Sequence, residues 1–198
     1  MNKDDDITNQ PKEIRVTTPL TDQVIAGLKV GDRVMLSGVI YTARDAAHKR
    51  LVETLSANQP LPLPLLNQLI YYAGPAPARP GQVIGPAGPT TSSRMDSMTL
   101  PLLEAGLKGM VGKGRRSHEV RQAIVDHRAI YLVAVGGAAA LISQRIIKMD
   151  LVAYEELGTE AIYRLEVLDM PLIVANDIYG GDLYEQGVAA YRIAERLE

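Results

Sequence analysis

QVIGPAGPTTSSRMDSMTLPLLEA, Gln82 to Ala105, is the stretch on which the reading of this chain turns. It opens with Gln82-Val83-Ile84-Gly85, a short β-type run. It ends with Met95, Met98, Leu102 and Ala105, spaced i, i+3, i+7 and i+10, the period of one buried helix face. Gly88 to Asp96 (GPTTSSRMD) is therefore predicted to lie at a strand-to-helix turn. Free backbone N–H groups and the positive end of a helix dipole favour an anion at such a turn. Thr90, Thr91, Ser92 and Ser93 add hydroxyl donors, and Arg94 adds a planar fork suited to a carboxylate or phosphate. Local chemistry equally allows a helix capped by Ser92 or Ser93 with Arg94 in solvent.

The same pattern recurs on either side. Val34 to Thr42 (VMLSGVIYT) reads as a strand that runs into ARDAAHKR, the start of a helix with Ala47, Leu51 and Leu55 as its inner stripe. Arg44 and His48 are four apart and share a face, either solvated or turned to a site. Lys108 to Val111 is a further strand, ending in Gly112-Lys113-Gly114. Two glycines there let backbone approach a ligand while the ammonium points at it, although the spacing is not that of a P-loop and a plain basic turn fits as well. Ile14 to Thr18, Leu69 to Ala73 and the continuous apolar run Ala129 to Val135 also read as strands, the last with both faces covered.

Helices are predicted after Thr21, after Ser117 as far as Asp126, after the Gly136-Gly137 turn, and from Asp182 to the end. The last of these buries Leu183, Ala190, Ile193 and Leu197. Leu151 to Tyr154, Ala161 to Val167 and Leu172 to Ala175 read as three more strands. Alternate prolines over Gln59 to Leu65 exclude a helix, and Gly74 to Gly81 forms a stiff loop. Pro101 is expected to interrupt or restart the helix that closes near Gly106. Alternating strands and helices argue α/β with a partly parallel sheet, residues 1–13 flexible and 14–198 one domain.

Net charge is -2 over 198 residues, which leaves no basic field for nucleic acid, and no apolar run is long enough to span a bilayer. Zero cysteines removes disulfides, thiol catalysis and any thiolate-bound metal or iron–sulfur cluster from this chain. The three histidines, His48, His118 and His127, do not show zinc-site spacing. The expectation is a cytoplasmic domain without a metal of its own.

Arg44, Arg94 and Lys113 each follow a predicted strand near a helix start. In an open α/β sheet the carboxyl ends of parallel strands share one edge, so the three can converge on a small dianion. Each charge-assisted bond contributes roughly 1.5–3 kcal/mol net. Binding is well supplied by these residues, whereas bases and electrophiles are few.

ARDAAHKR, YYAGPAPARPGQVIGPAGPTTSSRMD, GMVGKG, GGAAALIS, VAYEELGTEAIYRLEV and PLIVANDIYGGDLY, in this order, resemble the β subunit or C-terminal domain of class I fumarate hydratase. That is the iron–sulfur group that includes L(+)-tartrate dehydratase. The resemblance implies a three-layer swivelling β/β/α domain that closes over substrate. It implies a four-iron four-sulfur cluster held by a separate α subunit, whose open iron acts as Lewis acid on the substrate hydroxyl and C1 carboxylate. It also implies a hetero-oligomer, with a dimer of αβ pairs among the arrangements. Arg44, Arg94 and Lys113 would hold the carboxylates, and Thr90 and Thr91 would contact substrate. Thr90 would either take part in proton abstraction or position substrate for a base of the partner, since a hydroxyl whose pKa lies far from the working pH is a poor base. Fumarate hydration to (S)-malate is the leading activity, and L(+)-tartrate or mesaconate chemistry the alternative. A stand-alone dicarboxylate-binding domain is the alternative of another class.

Overall fold

The computed structural model describes residues 13–135 and 137–192. Residues 1–12 of the predicted flexible start, Gly136 of the glycine turn, and Ile193 and Leu197 of the last helix lie outside the described residues.

Five strands run parallel and side by side. β1 (Glu13–Thr17), α1 (Asp22–Ala26) and β2 (Arg33–Thr42) form the first unit, with Val16 opposite Leu36 and Thr21 capping α1 through the Val24 N–H. α2 (Asp45–Ser56) leads to β3 (Leu69–Tyr71) beside the end of β2. α3 (Asp96–Glu104), β4 (Gly109–Gly112), α4 (His118–Asp126) and β5 (Ile130–Val133) continue the parallel ladder. The carboxyl ends of β2, β3 and β4 consequently share one edge.

α5 (Ala139–Ser143) and β6 (Ile146–Ala153) follow, then β7 (Ile162–Asn176) and α6 (Leu183–Tyr191). β7 runs antiparallel to β5, β6 and β2, so the pairings β2–β3–β4–β5–β7 close on themselves, with β1 added to β2 and β6 to β7. This is a mixed α/β fold on a seven-stranded sheet, parallel in part as the alternation predicted.

Period-2 alternation sorts the strand side chains into two cores. Leu69, Tyr71, Val111, Ile130 and Leu132 enter one with Val34, Leu36, Leu172 and Val174. Ile70, Met110 and Tyr131 face the other, where Ala47 and Leu51 of α2, Leu102 and Leu103 of α3, and Val120 and Ile124 of α4 cover the sheet. Both faces of β3, β4 and β5 are thus buried, as the continuous apolar run around β5 foretold.

Three local expectations are corrected. Gln82–Gly85 is loop: β3 already has β2 and β4 on its two edges, so this β-like run has no edge to join. The runs predicted as Ala161–Val167 and Leu172–Ala175 are, from Ile162 on, one strand, β7, which passes through Pro171. The Val174 N–H bonds to Asp32 of the β2 side, so by alternation Pro171 turns its ring nitrogen to the other edge. That edge is unpaired between the β6 register, which ends at Val167, and the β5 register, which starts at Ile173. No ladder bond is lost there. Pro101 lies inside α3 rather than breaking it, and the helix still closes at Gly106, where φ is +98°.

Candidate functional site

The geometry of the parallel ladder brings the predicted residues together. β2 ends at Thr42, whose buried hydroxyl donates to Ala161 and accepts from the Tyr163 N–H at 2.9 Å. Two residues on, Arg44 occupies the extended cap position of α2. Its Nε faces Asp45 Oδ2 at 3.2 Å and Glu160 Oε1 at 3.3 Å, while Glu160 Oε2 accepts from the Ala46 N–H at 2.8 Å. Glu160 thereby caps α2 and holds Arg44 at once. The arginine stem lies over Gly74, where an added Cβ would come within 3.3 Å of Arg44 Cδ.

The Thr90 segment reaches this edge by a different route from the predicted strand-to-helix turn. Pro89 to Ser92 threads between the ends of β3 and β4: the Thr90 N–H donates to Tyr72, the Lys113 N–H to Thr90, and the Ser92 N–H to Lys113. Thr90 is half-buried and Thr91 exposed. A 3-10 turn, Ser92–Met95, then hands the chain to α3, and no side chain caps either element. The reading of Ser92 or Ser93 as an N-cap is therefore corrected. Ser92 is instead buried, its hydroxyl 2.8 Å from that of Tyr131.

Arg94 projects from this turn and meets Asp45 Oδ1 through Nε at 2.8 Å. One carboxylate thus receives Arg44 on one oxygen and Arg94 on the other. Each guanidinium is held by its Nε side, which leaves the Nη pair as the fork for an incoming carboxylate. Partial burial works against the charged form of Asp45. Its bond at the α2 N-terminus and the two arginines outweigh that, and its carboxyl titrates below the usual aspartate value. Lys113, exposed, stands directly beyond β4, bridged to Thr91. Arg44, Thr90, Thr91, Arg94 and Lys113 all sit on the one edge where β2, β3 and β4 end.

Behind them lies a buried layer that sequence reasoning missed. The Arg116 side chain is 0% exposed and donates to Asp96 Oδ1 at 2.7 Å, Thr99 Oγ1 at 2.7 Å and Tyr72 OH at 3.1 Å. Its guanidinium also stacks near the rings of Tyr72 and Tyr131. His48, read as sharing the Arg44 face, is fully buried with its ring edge-on to Tyr72 at 5.1 Å. Nδ1 bonds to the Arg44 carbonyl at 3.2 Å and Nε2 has no protein partner. Desolvation, aided by the charge of Arg116, lowers its pKa from 6.5 to about 4, so the imidazole is neutral near pH 7. Helical spacing held the signal, since His48 stands three and seven residues before Leu51 and Leu55 of the inner stripe. Nothing in the sequence singles out Arg116 from its exposed neighbour Arg115.

The donor set does not suit an iron–sulfur cluster. The chain has no cysteine, and among the described residues no group of three His, Asp or Glu side chains is placed to hold a metal ion. Among the described residues no helix is long and apolar enough to cross a membrane.

Comparison with known proteins gives the lineage. The family model for the fumarase C-terminus matches residues 1–187. The chain is 42% identical over 160 residues to "Fumarate hydratase class I, anaerobic" of Escherichia coli (strain K12), covering 79% of this chain and 29% of that protein. It is 40% identical over 173 residues to "Putative L(+)-tartrate dehydratase subunit beta" of Methanocaldococcus jannaschii, covering 84% of this chain and 89% of that one. "Fumarate hydratase 1, mitochondrial" of Leishmania major is 36% identical over 189 residues, 93% of this chain and 34% of the relative. The chain spans about a third or less of these fumarate hydratases, and nearly the whole of the tartrate dehydratase β subunit. On the match over residues 1–187 and this near full-length likeness, the chain belongs to the fumarase C-terminus family.

Proposed function

We propose that this chain is the β subunit of a class I fumarate hydratase, a cytoplasmic hydro-lyase that reversibly hydrates fumarate to (S)-malate together with a separate α subunit. The observation that carries this reading is the Asp45-bridged pair of Arg44 and Arg94 beside Lys113 at the common strand edge. Three cations stand there against two carboxylates, Asp45 and Glu160, so a dicarboxylate enters a site with net positive charge. Arg44, Arg94 and Lys113 take its carboxylates, Thr91 contacts it, and Thr90 is the catalytic hydroxyl at the carbon that gains or loses a proton.

A four-iron four-sulfur cluster of the α subunit supplies the Lewis acidity. With no thiolate in this chain, none of its residues is assigned to that cluster. The chain's own part is to bind, orient and enclose: a swivelling β/β/α domain that closes over the substrate. The assembly is a hetero-oligomer.

The near full-length likeness to the Methanocaldococcus jannaschii protein supports a second reading, the β subunit of an L(+)-tartrate dehydratase. Anaerobic co-expression with a cysteine-bearing α subunit, followed by assays on fumarate, mesaconate and L(+)-tartrate, separates the two. Turnover of fumarate by the pair and by neither chain alone is expected. Preference for tartrate selects the second reading, and dicarboxylate binding without turnover by any pair leaves a binding domain only.

A further inference from the structure

We infer that Arg116, through its pairing with Asp96, is a positioning residue that fixes Arg94 and Lys113 relative to one another; the consequence for ligand binding rests on the dicarboxylate reading above. Arg94 and Lys113 are carried by two irregular segments, the 3-10 turn at Ser92–Met95 and the chain just past β4. The backbone bonds between them, from the Lys113 N–H to Thr90 and from the Ser92 N–H to Lys113, stop two residues short of Arg94.

Asp96 ties the two together from behind. Its Oδ1 accepts from Arg116 Nε at 2.7 Å and its Oδ2 from the Ser117 N–H at 2.7 Å, so both oxygens hold the segment that follows Lys113. The other nitrogens of the same guanidinium reach Thr99 Oγ1, one turn into α3, and Tyr72 OH, just past β3. Thr99 in turn donates to the Met95 carbonyl at 2.9 Å, which pins the end of the turn that bears Arg94. A second tie runs parallel: Tyr131 OH is 2.8 Å from Ser92 Oγ and donates to the Gly114 carbonyl at 2.8 Å. The segment bearing Arg94 is thus held by side chains before and after it, at Ser92 and at Asp96 and Thr99, and these ties reach the chain just past Lys113 at Gly114, Arg116 and Ser117.

A planar fork is required for this. Three donors leave Arg116 in three directions at fixed angles, which an ammonium on a flexible stem does not reproduce. A four-carbon dicarboxylate spans a limited range of separations between its two charged ends, so the spacing of Arg94 and Lys113 sets how well both can be met at once.

The test uses the full chain, labelled with nitrogen-15, and the variant Arg116→Lys, which keeps the charge and loses the fork. In the wild type the Arg94 Nε–H, paired with Asp45 at 2.8 Å, should give a resonance whose exchange with solvent is slowed. In Arg116→Lys that protection is lost and the Kd for L-malate rises about tenfold. Thr99→Val removes one of the three acceptors without uncovering a charge, and moves both readouts in the same direction by a smaller factor. It decides the question if Arg116→Lys does not fold. A variant that melts lower yet keeps the protected resonance and an unchanged malate Kd makes Arg116 merely structural and overturns the inference. So does a variant indistinguishable from wild type. A wild type that binds no malate, but whose Arg94 protection depends on Arg116, supports the positioning role and removes the dicarboxylate reading instead.

Discussion

Asp45 holds Arg94 across elements that are far apart in sequence, its Oδ1 lying 2.8 Å from the Arg94 Nε, while its Oδ2 faces Arg44 at 3.2 Å. The carboxylate occupies the first turn of α2, where the helix N-terminus favours it. Asp45→Asn keeps the shape and removes the charge that aligns both arginines. The pairs are partly exposed, so stability should change by no more than about 1 kcal/mol. The KM for the dicarboxylate should rise about tenfold with kcat little changed, as steady-state kinetics of the assembled enzyme would show. Unchanged KM would mean that the arginines hold their places without Asp45.

His48 makes stability depend on acid. Its folded pKa, about 4, lies below the ordinary value of 6.5, so the unfolded chain binds the proton first. The contribution is constant above pH 6.5 and is lost progressively as pH falls from 6.5 toward 4. Between pH 7.5 and 4.5 the wild type should lose about 2–3 kcal/mol more than His48→Asn. Urea unfolding at the two pH values measures this, and equal losses in both proteins would place the titration elsewhere.

Tyr71 reaches from β3 into the core to donate its hydroxyl to the Ala87 carbonyl at 2.6 Å, three residues before Thr90. Tyr71→Phe leaves that buried carbonyl without its partner and should cost about 1–3 kcal/mol. It should also loosen the loop that delivers Thr90, seen as faster amide exchange from Ala87 to Thr91. Exchange confined to wild-type rates would show that the ladder bonds of Thr90 suffice.

Gly112 ends β4 with no room beside it. A Cβ there would lie 2.9 Å from the Tyr72 ring and overlap the Ser92 hydroxyl. Gly112→Ala should destabilise by about 1–3 kcal/mol, measured by urea unfolding, and displace the Ser92–Tyr131 contact. A neutral effect would require Ser92 to rotate away freely.

The parallel ladder and most helices were legible because apolar period and caps agree: Ser117 and Asp182 cap α4 and α6 where predicted. Arg44 and Lys113 follow strand ends as read, whereas Arg94 reaches the same edge after a loop and a 3-10 turn. What escaped was set by distance in sequence. Glu160, which holds Arg44, is 114 residues from the Ala46 N–H it caps, and Asp96 is 20 residues from Arg116. The Gln82–Gly85 run has strand composition, and only the completed pairing of β3 with β2 and β4 shows that no edge was left for it.

The central claim, that this chain supplies the cationic half of a hydratase site, is tested most directly by Arg94→Ala in the enzyme assembled with its α subunit. A fall of about 100-fold in kcat/KM for fumarate, roughly 2.7 kcal/mol, with the fold and assembly intact, is predicted. Activity within threefold of wild type would contradict it.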